Sequence, residues 1–316
     1  MGSEMCIRDR YKLIYFYHAR RWEFYDLAKD IGETKNLLNE QMDPLSLSAV
    51  GAAQLKFSRK VQEFAAQLPE LRASANYFRP QFDLGSDLMP LASEESRGQL
   101  AGWGAGRTWL DQHSDINMIA RGGKLDLVFI GDSITQGWGG QDRSVGQVAP
   151  EVWKKFYSKR KAANFGISGD GFRNLLWRIE NGNLDGINPK IVVLNIGTND
   201  LSRGDDAALI ASGIEQVVQR IEERRQRAKI LLLGIFPRGE SAGHPMRLKA
   251  KKVNKLLQKI SDDRKTFFLD IGKHFVDENE SVLRSHYRDD FLHLSPQGYE
   301  AWAHAIEPAI SKYLEE

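Results

Sequence analysis

In the stretch Asp126-Leu127-Val128-Phe129-Ile130-Gly131-Asp132-Ser133-Ile134-Thr135-Gln136-Gly137, an apolar run stops on a glycine, a carboxylate and a serine. A serine hydroxyl has a pKa far above 7. It becomes a nucleophile when a base lies within hydrogen-bond reach and a further acceptor orients that base. Both groups occur in Arg288-Asp289-Asp290-Phe291-Leu292-His293-Leu294-Ser295-Pro296, where Asp290 precedes His293 by three residues. Of the seven histidines, His293 is the one with a carboxylate at that offset in a loop leading into a helix; His18, His113, His244 and His304 read as helix or turn positions, and His274 and His286 lack such a setting. Two more stretches carry donors. The glycines of Asn164-Phe165-Gly166-Ile167-Ser168-Gly169-Asp170-Gly171 let backbone N–H groups face a ligand, and Gly197-Thr198-Asn199-Asp200 offers a side-chain amide. Together these groups suit acyl transfer: Ser133 attacks an ester carbonyl and His293 takes its proton. Each has a plainer alternative, Ser133 as a surface residue at a strand end, the glycines as turns, Asn199 as a turn residue.

The elements that must hold these residues alternate. Strands are expected at Leu125 to Ile130, Ala162 to Phe165, Ile191 to Ile196, Ile230 to Phe236 and Thr266 to Leu269. Helical spacing follows at Pro150 to Tyr157, Phe172 to Glu180, Asp205 to Arg227, Pro245 to Ser261 and Pro296 to Tyr313, and precedes the first strand at Thr108 to Ala120. Ser295 as N-cap with Pro296 in the first turn marks the start of the last helix. Parallel neighbours need crossover helices, so this order predicts an α/β fold, a five-stranded parallel sheet covered on both faces. Its strand ends open into the ligand crevice, which is where Ser133 falls. Gly166-x-x-Gly169-x-Gly171 is not the dinucleotide spacing, so no nucleotide cofactor is expected. Gly131-Asp132-Ser133-Ile134-Thr135 lacks the second glycine of the G-x-S-x-G elbow, which disfavours the α/β-hydrolase fold.

The 316 residues are 41% hydrophobic and 27% charged, enough for one large domain and a small one. A formal charge of +2 gives no electrostatic reason to expect nucleic acid, and no apolar run has the roughly 20 residues of a membrane span. The basic run Arg247 to Lys259 reads as a solvated helix face. The single cysteine, Cys6, excludes a disulfide framework and a cysteine-based metal site, and no cofactor is expected. Met1 to Arg10 resembles a tag or sequencing scar, so a native leader is expected to be missing. In that case the compartment is periplasmic or extracellular; otherwise it is cytoplasmic. Tyr11 to Tyr17 and Trp22 to Leu27 suggest an aromatic hairpin, followed by a turn at Asp30-Ile31-Gly32-Glu33 and a helix over Leu45 to Leu68. Residues 86–104 have linker composition, which places the large domain at 105–316.

GDSITQG, NFGISGDG, GTND and DFLH stand in the order and context of the SGNH (GDSL-type) hydrolase family, which residues 105–316 resemble; NFGISGDGFRNLLWRIENG and KIVVLNIGTND are similar to its platelet-activating-factor acetylhydrolase-like branch. The resemblance implies a three-layer flavodoxin-like fold and a triad of Ser133, Asp290 and His293. It also implies oxyanion donors from the Gly169 N–H and the Asn199 side chain, to which the Ser133 N–H is added. The expected activity is a serine esterase for short acyl, chiefly acetyl, esters. Residues 11–85 resemble the C-terminal subdomain of type I sulfatases through YKLIYFY, WEFYDLAKDIGETKNLL and Pro80-Gln81-Phe82-Asp83, without the formylglycine motif or the metal carboxylates. That resemblance implies a missing sulfatase catalytic domain as partner and makes O-acetylated carbohydrate the expected substrate. Lipid-like esters and a silent carbohydrate-binding protein are the alternatives.

Overall fold

The computed structural model describes residues 2–7, 11–16, 21–26, 88–93, 96, 98–140 and 143–315. The chain divides into two compact units, Met1–Met89 and Pro90–Glu316. In the first, β1 (Gly2–Ile7), β2 (Tyr11–Phe16) and β3 (Arg21–Asp26) form an antiparallel sheet in that order. The strands β2 and β3 are the aromatic hairpin. Strand β1 lies within the ten residues expected to be a foreign leader, and it pairs in register from Gly2 opposite Phe16 to Ile7 opposite Tyr11. The turn at 30–33, the helix over 45–68 and residues 80–83 lie outside the described residues.

The second unit begins earlier than composition suggests. Residues 90–104 read as linker, yet Ala92, Ala101 and Trp103 are buried, and the Trp103 indole N–H donates to Gln136 Oε1 at 2.7 Å. The Leu91 N–H donates to the Arg173 carbonyl at 3.0 Å, and Asn174 Nδ2 donates to the Leu91 carbonyl at 2.9 Å. Isolated anchors of this kind leave no period in the sequence.

Five parallel strands follow: β4 (Leu127–Gly131), β5 (Ala162–Gly166), β6 (Ile191–Asn195), β7 (Lys229–Leu233) and β8 (Thr266–Leu269), in the order β5-β4-β6-β7-β8. Strands β4 and β6 are apolar almost throughout because both faces are covered. Gly131 aligns with Gly166 on one side and Asn195 on the other, so the three strands end level. The strand order reverses at β4, which puts the ligand crevice of such a sheet beyond the ends of β4 and β6.

The helices are α1 (Trp109–Arg121), α2 (Ser133–Gln136), α3 (Pro150–Phe156), α4 (Phe172–Glu180), α5 (Thr198–Arg203), α6 (Ala207–Arg224), α7 (Pro245–Leu257) and α8 (Pro296–Glu315). Helix α6 packs between α4 and α7, while α3 packs on α8. Asp206 caps α6 by accepting from the Leu209 N–H at 2.8 Å, so that helix starts later than expected. Ser295 Oγ accepts from the Gly298 N–H at 3.2 Å, the cap its sequence announced. Helix α7 ends at Leu257 and passes into a 3-10 turn, Gln258–Ile260.

Leu127, Phe129, Ile191, Val193, Leu231 and Leu233 share one core with Trp138, Trp153, Tyr157 and Trp302; their alternates along each strand point to the other face. The Phe129 ring lies 5.9, 5.6, 4.8 and 6.3 Å from the rings of Trp138, Trp153, Tyr157 and Trp302. Tyr299 belongs to the same cluster, and its hydroxyl donates to the Ile134 carbonyl at 2.6 Å. The aromatic layer therefore supports the turn that begins with Ser133.

Candidate active site

Strand β4 delivers Ser133 to the crevice on the first residue of α2. The buried Asp132 carboxylate caps that turn by accepting from the Ile134 N–H at 2.9 Å. Burial pushes Asp132 up to about 7; the Ile134 N–H opposes this, and the carboxylates of Asp170 and Asp200 add to it. The turn has no room for a side chain at Gly131, where a Cβ would stand 2.1 Å from the Asn195 carbonyl oxygen.

Ser133 Oγ lies 2.9 Å from His293 Nε2, and His293 Nδ1 lies 2.7 Å from Asp290 Oδ2. The two groups that are 160 positions apart in sequence meet because the loop before α8 folds over the sheet end. Asp290 Oδ1 accepts from the N–H groups of Leu292 and His293 at 2.9 and 2.8 Å, which closes a tight turn with Phe291 in the left-handed region. The Tyr287 hydroxyl donates to the Pro237 carbonyl at 2.6 Å and the Gly239 N–H to the Phe291 carbonyl at 2.9 Å, tying the turn to the end of β7. Partial burial alone would raise the Asp290 pKa, but hydrogen bonds from the His293 ring and from two backbone N–H groups outweigh it and hold the carboxyl below its ordinary range. An ionised Asp290 keeps the Nδ1 proton in place and leaves Nε2 facing the serine.

Gly169 follows β5 and Asn199 opens α5 after β6. Asn199 Nδ2 donates one hydrogen to the Asp170 carbonyl at 2.8 Å, and an amide nitrogen carries a second. The β5 loop is bound to the serine turn itself: the Ser168 N–H donates to Gln136 Oε1 at 2.9 Å and the Ile167 N–H to the Gly131 carbonyl at 3.1 Å. Of the residues expected at the site, the structure joins Ser133, His293 and Asp290 by direct contacts, and it anchors Gly169 and Asn199 at the neighbouring strand ends.

Several supporting groups have roles that motif reading does not reveal. Asn164 accepts from the Gly166 N–H at 2.8 Å and donates to the carbonyls of Gln136 and Gly139 at 3.1 and 2.7 Å. Its signals were its polarity inside the apolar run Ala162 to Gly166 and its place at the head of the NFGISGDG block. Arg238 Nη1 reaches the Thr198 carbonyl at 2.8 Å and Ser202 Oγ at 2.9 Å, fixing the first turn of α5.

His113, fully buried, plays no part in this arrangement. Its ring nitrogens each lie 3.1 Å from a side-chain amide nitrogen, of Asn117 and of Asn183. Burial, with the nearby Arg178 charge, lowers its pKa to about 3, so the folded ring stays neutral where the unfolded one protonates. Its contribution to stability is present above pH 6.5 and is lost as pH falls towards 3, at about 1.4 kcal/mol per pH unit. Chemical denaturation of His113→Gln beside wild type is expected to show a difference in stability that narrows by that slope between pH 6 and 4. A difference that stays constant with pH would rule the effect out.

Among the described residues, no group of three or more His, Cys, Asp or Glu could hold a metal, and no helix is long and apolar enough to cross a membrane. An open parallel sheet of this strand order, with a serine, an imidazole and a carboxylate in line at its crevice, has the three-layer α/β/α architecture of the SGNH hydrolases. The family model for the GDSL-like lipase/acylhydrolase family matches residues 129–301, and the chain belongs to that family. It is 36% identical over 238 residues to platelet-activating factor acetylhydrolase IB subunit alpha2 of Rattus norvegicus, covering 75% of this chain and 95% of the relative. To the alpha1 subunit of Homo sapiens it is 35% identical over 212 residues, 67% of this chain and 86% of the relative. A solved chain from Bacteroides fragilis, described as an acylhydrolase, shares the fold with a TM-score of 0.52 and 22% identity, over 66% of this chain and 99% of that one. The chain is an acylhydrolase by family.

Proposed function

We propose that this protein is a serine esterase that removes short acyl groups, chiefly acetyl, through an acyl-enzyme. The line from Ser133 Oγ through the His293 ring to Asp290, at 2.9 and 2.7 Å, carries this reading. His293 takes the Ser133 proton as Oγ attacks the ester carbonyl. The resulting oxyanion is held by the N–H groups of Ser133 and Gly169 and by the free hydrogen of Asn199 Nδ2. His293 then protonates the leaving alcohol, activates a water, and the acid departs. The acetylhydrolase relatives support acetyl as the acyl group. For the alcohol, their name favours a lipid-like moiety, whereas the sulfatase-like residues 11–85 favour O-acetylated carbohydrate.

A ladder of nitrophenyl esters from acetate to dodecanoate tests the acyl preference, with Ser133→Ala alongside. Turnover confined to acetate and butyrate is expected, and a long-chain optimum would overturn it. Asn199→Ala removes one oxyanion donor and should lower kcat by about 100-fold or more with KM little changed. An equal rise in KM at constant kcat would show instead that Asn199 serves ground-state binding.

A further inference from the structure

We infer that the buried ion pair of Asp170 and Arg178, backed by Trp109, is a positioning device for the oxyanion loop; this rests on the esterase reading of the same site. Asp170 and Arg178 have no exposed surface. Arg178 Nε meets Asp170 Oδ2 at 2.8 Å, and the Trp109 indole N–H donates to Asp170 Oδ1 at 2.6 Å. The remaining guanidinium nitrogens reach two backbone carbonyls at the sheet end and one side chain: Nη1 donates to the Phe165 carbonyl at 2.8 Å and to Asn183 Oδ1 at 2.9 Å, and Nη2 donates to the Gly131 carbonyl at 3.2 Å. One side chain thus fastens the end of the serine strand, the end of the neighbouring strand and the loop that carries Gly169.

Core stability does not call for this pair. Phe172, Leu175, Leu176, Trp177 and Ile179 already bury apolar surface from α4, and a buried ion pair is often no more stabilising than apolar residues of the same volume. A planar fork with five donors, however, can hold several acceptors in one fixed geometry, which an apolar side chain cannot do. Such a hold is needed here. Gly169 has φ +88, a conformation in which glycine has no intrinsic preference over its alternatives, so its neighbours must fix the direction of its N–H. On one side Ser168 is bound to Gln136. On the other, the Gly169 carbonyl accepts from Arg203 Nη2 at 2.6 Å, and the Asp170 carbonyl accepts the Asn199 amide, so the same short segment sets both proposed donors. Burial pushes Asp170 up and Arg178 down in pKa, and each opposes the other's shift.

The test uses Trp109→Phe, which keeps one aromatic ring but removes the indole N–H together with the second ring, and Arg178→Lys, which keeps the charge and loses the fork. Kinetics on nitrophenyl acetate should show kcat lowered about 10-fold in the first and about 100-fold in the second, with KM unchanged. Amide hydrogen exchange followed by mass spectrometry should show faster exchange confined to residues 166–171, with β7 and β8 unaltered. Wild-type kcat in Trp109→Phe together with unchanged exchange over 166–171 would overturn the inference, as would exchange that rises uniformly over the whole unit. Should wild type hydrolyse no faster than Ser133→Ala, the esterase reading fails; the exchange pattern then decides alone whether the pair fixes the loop. Where Arg178→Lys does not fold, Trp109→Phe carries both measurements.

Discussion

Replacing Ser133 by alanine is expected to lower kcat on nitrophenyl acetate by on the order of 10⁵-fold while leaving the melting temperature within a degree or two of wild type. The hydroxyl meets the His293 ring, and the turn around it is held by groups the substitution leaves in place: the Asp132 cap, the Gly137 N–H on the Ser133 carbonyl, and the Tyr299 hydroxyl one residue on. Loss of activity without loss of fold is therefore the result expected of a residue that acts in the chemistry rather than in the fold. His293→Ala should cost about as much, and the double variant hardly more, because members of a triad act as a unit. A Ser133→Ala protein that keeps more than about a hundredth of wild-type kcat would sink the assignment, since a residual rate of that size lies well above what an oxyanion site alone supplies.

The largest effect on stability is expected at Trp302, from α8. It has no exposed surface, and its ring packs 5.0 Å from those of Trp138 and Phe236 and 6.0 Å from Tyr299. Trp302→Ala should cost about 3–5 kcal/mol, a large share of the roughly 5–15 kcal/mol that holds a domain folded. Urea denaturation measures it directly. Activity per folded molecule should fall as well, because Tyr299 and Trp138 brace the serine turn from the same cluster. Destabilisation below about 1 kcal/mol would mean that the aromatic layer closes over the cavity.

The sheet was legible because strands buried on both faces and helices with one apolar stripe leave opposite, recognisable patterns. All five strands of the second unit and its six longer helices fall where the periods put them. The short helices α2 and α5 were not legible, since a single turn has no period, and they owe their shape to caps and close packing at Gly131 and Gly197. Ser133, Asp290 and His293 could be picked out because acyl transfer needs those types together. The roles of the groups that hold them were not legible, although Asn164, Arg178 and Gln136 stand inside the quoted motifs: they work through backbone carbonyls and N–H groups, and any sequence presents those everywhere. Residues 90–104 failed for a related reason, as two buried alanines and Trp103 fix a segment that composition alone describes as loose.

Ser133 and His293 stand 160 residues apart, whereas His293 and Asp290 share one four-residue turn. During synthesis the serine turn leaves the ribosome long before the turn that carries both Asp290 and His293. Closing so wide a separation is slow and comes only once the intervening strands have paired. On the proposed esterase reading, hydrolysis therefore starts only when the sheet is complete and can serve as a clock for its assembly. In a refolding experiment, recovery of activity should lag behind recovery of secondary structure.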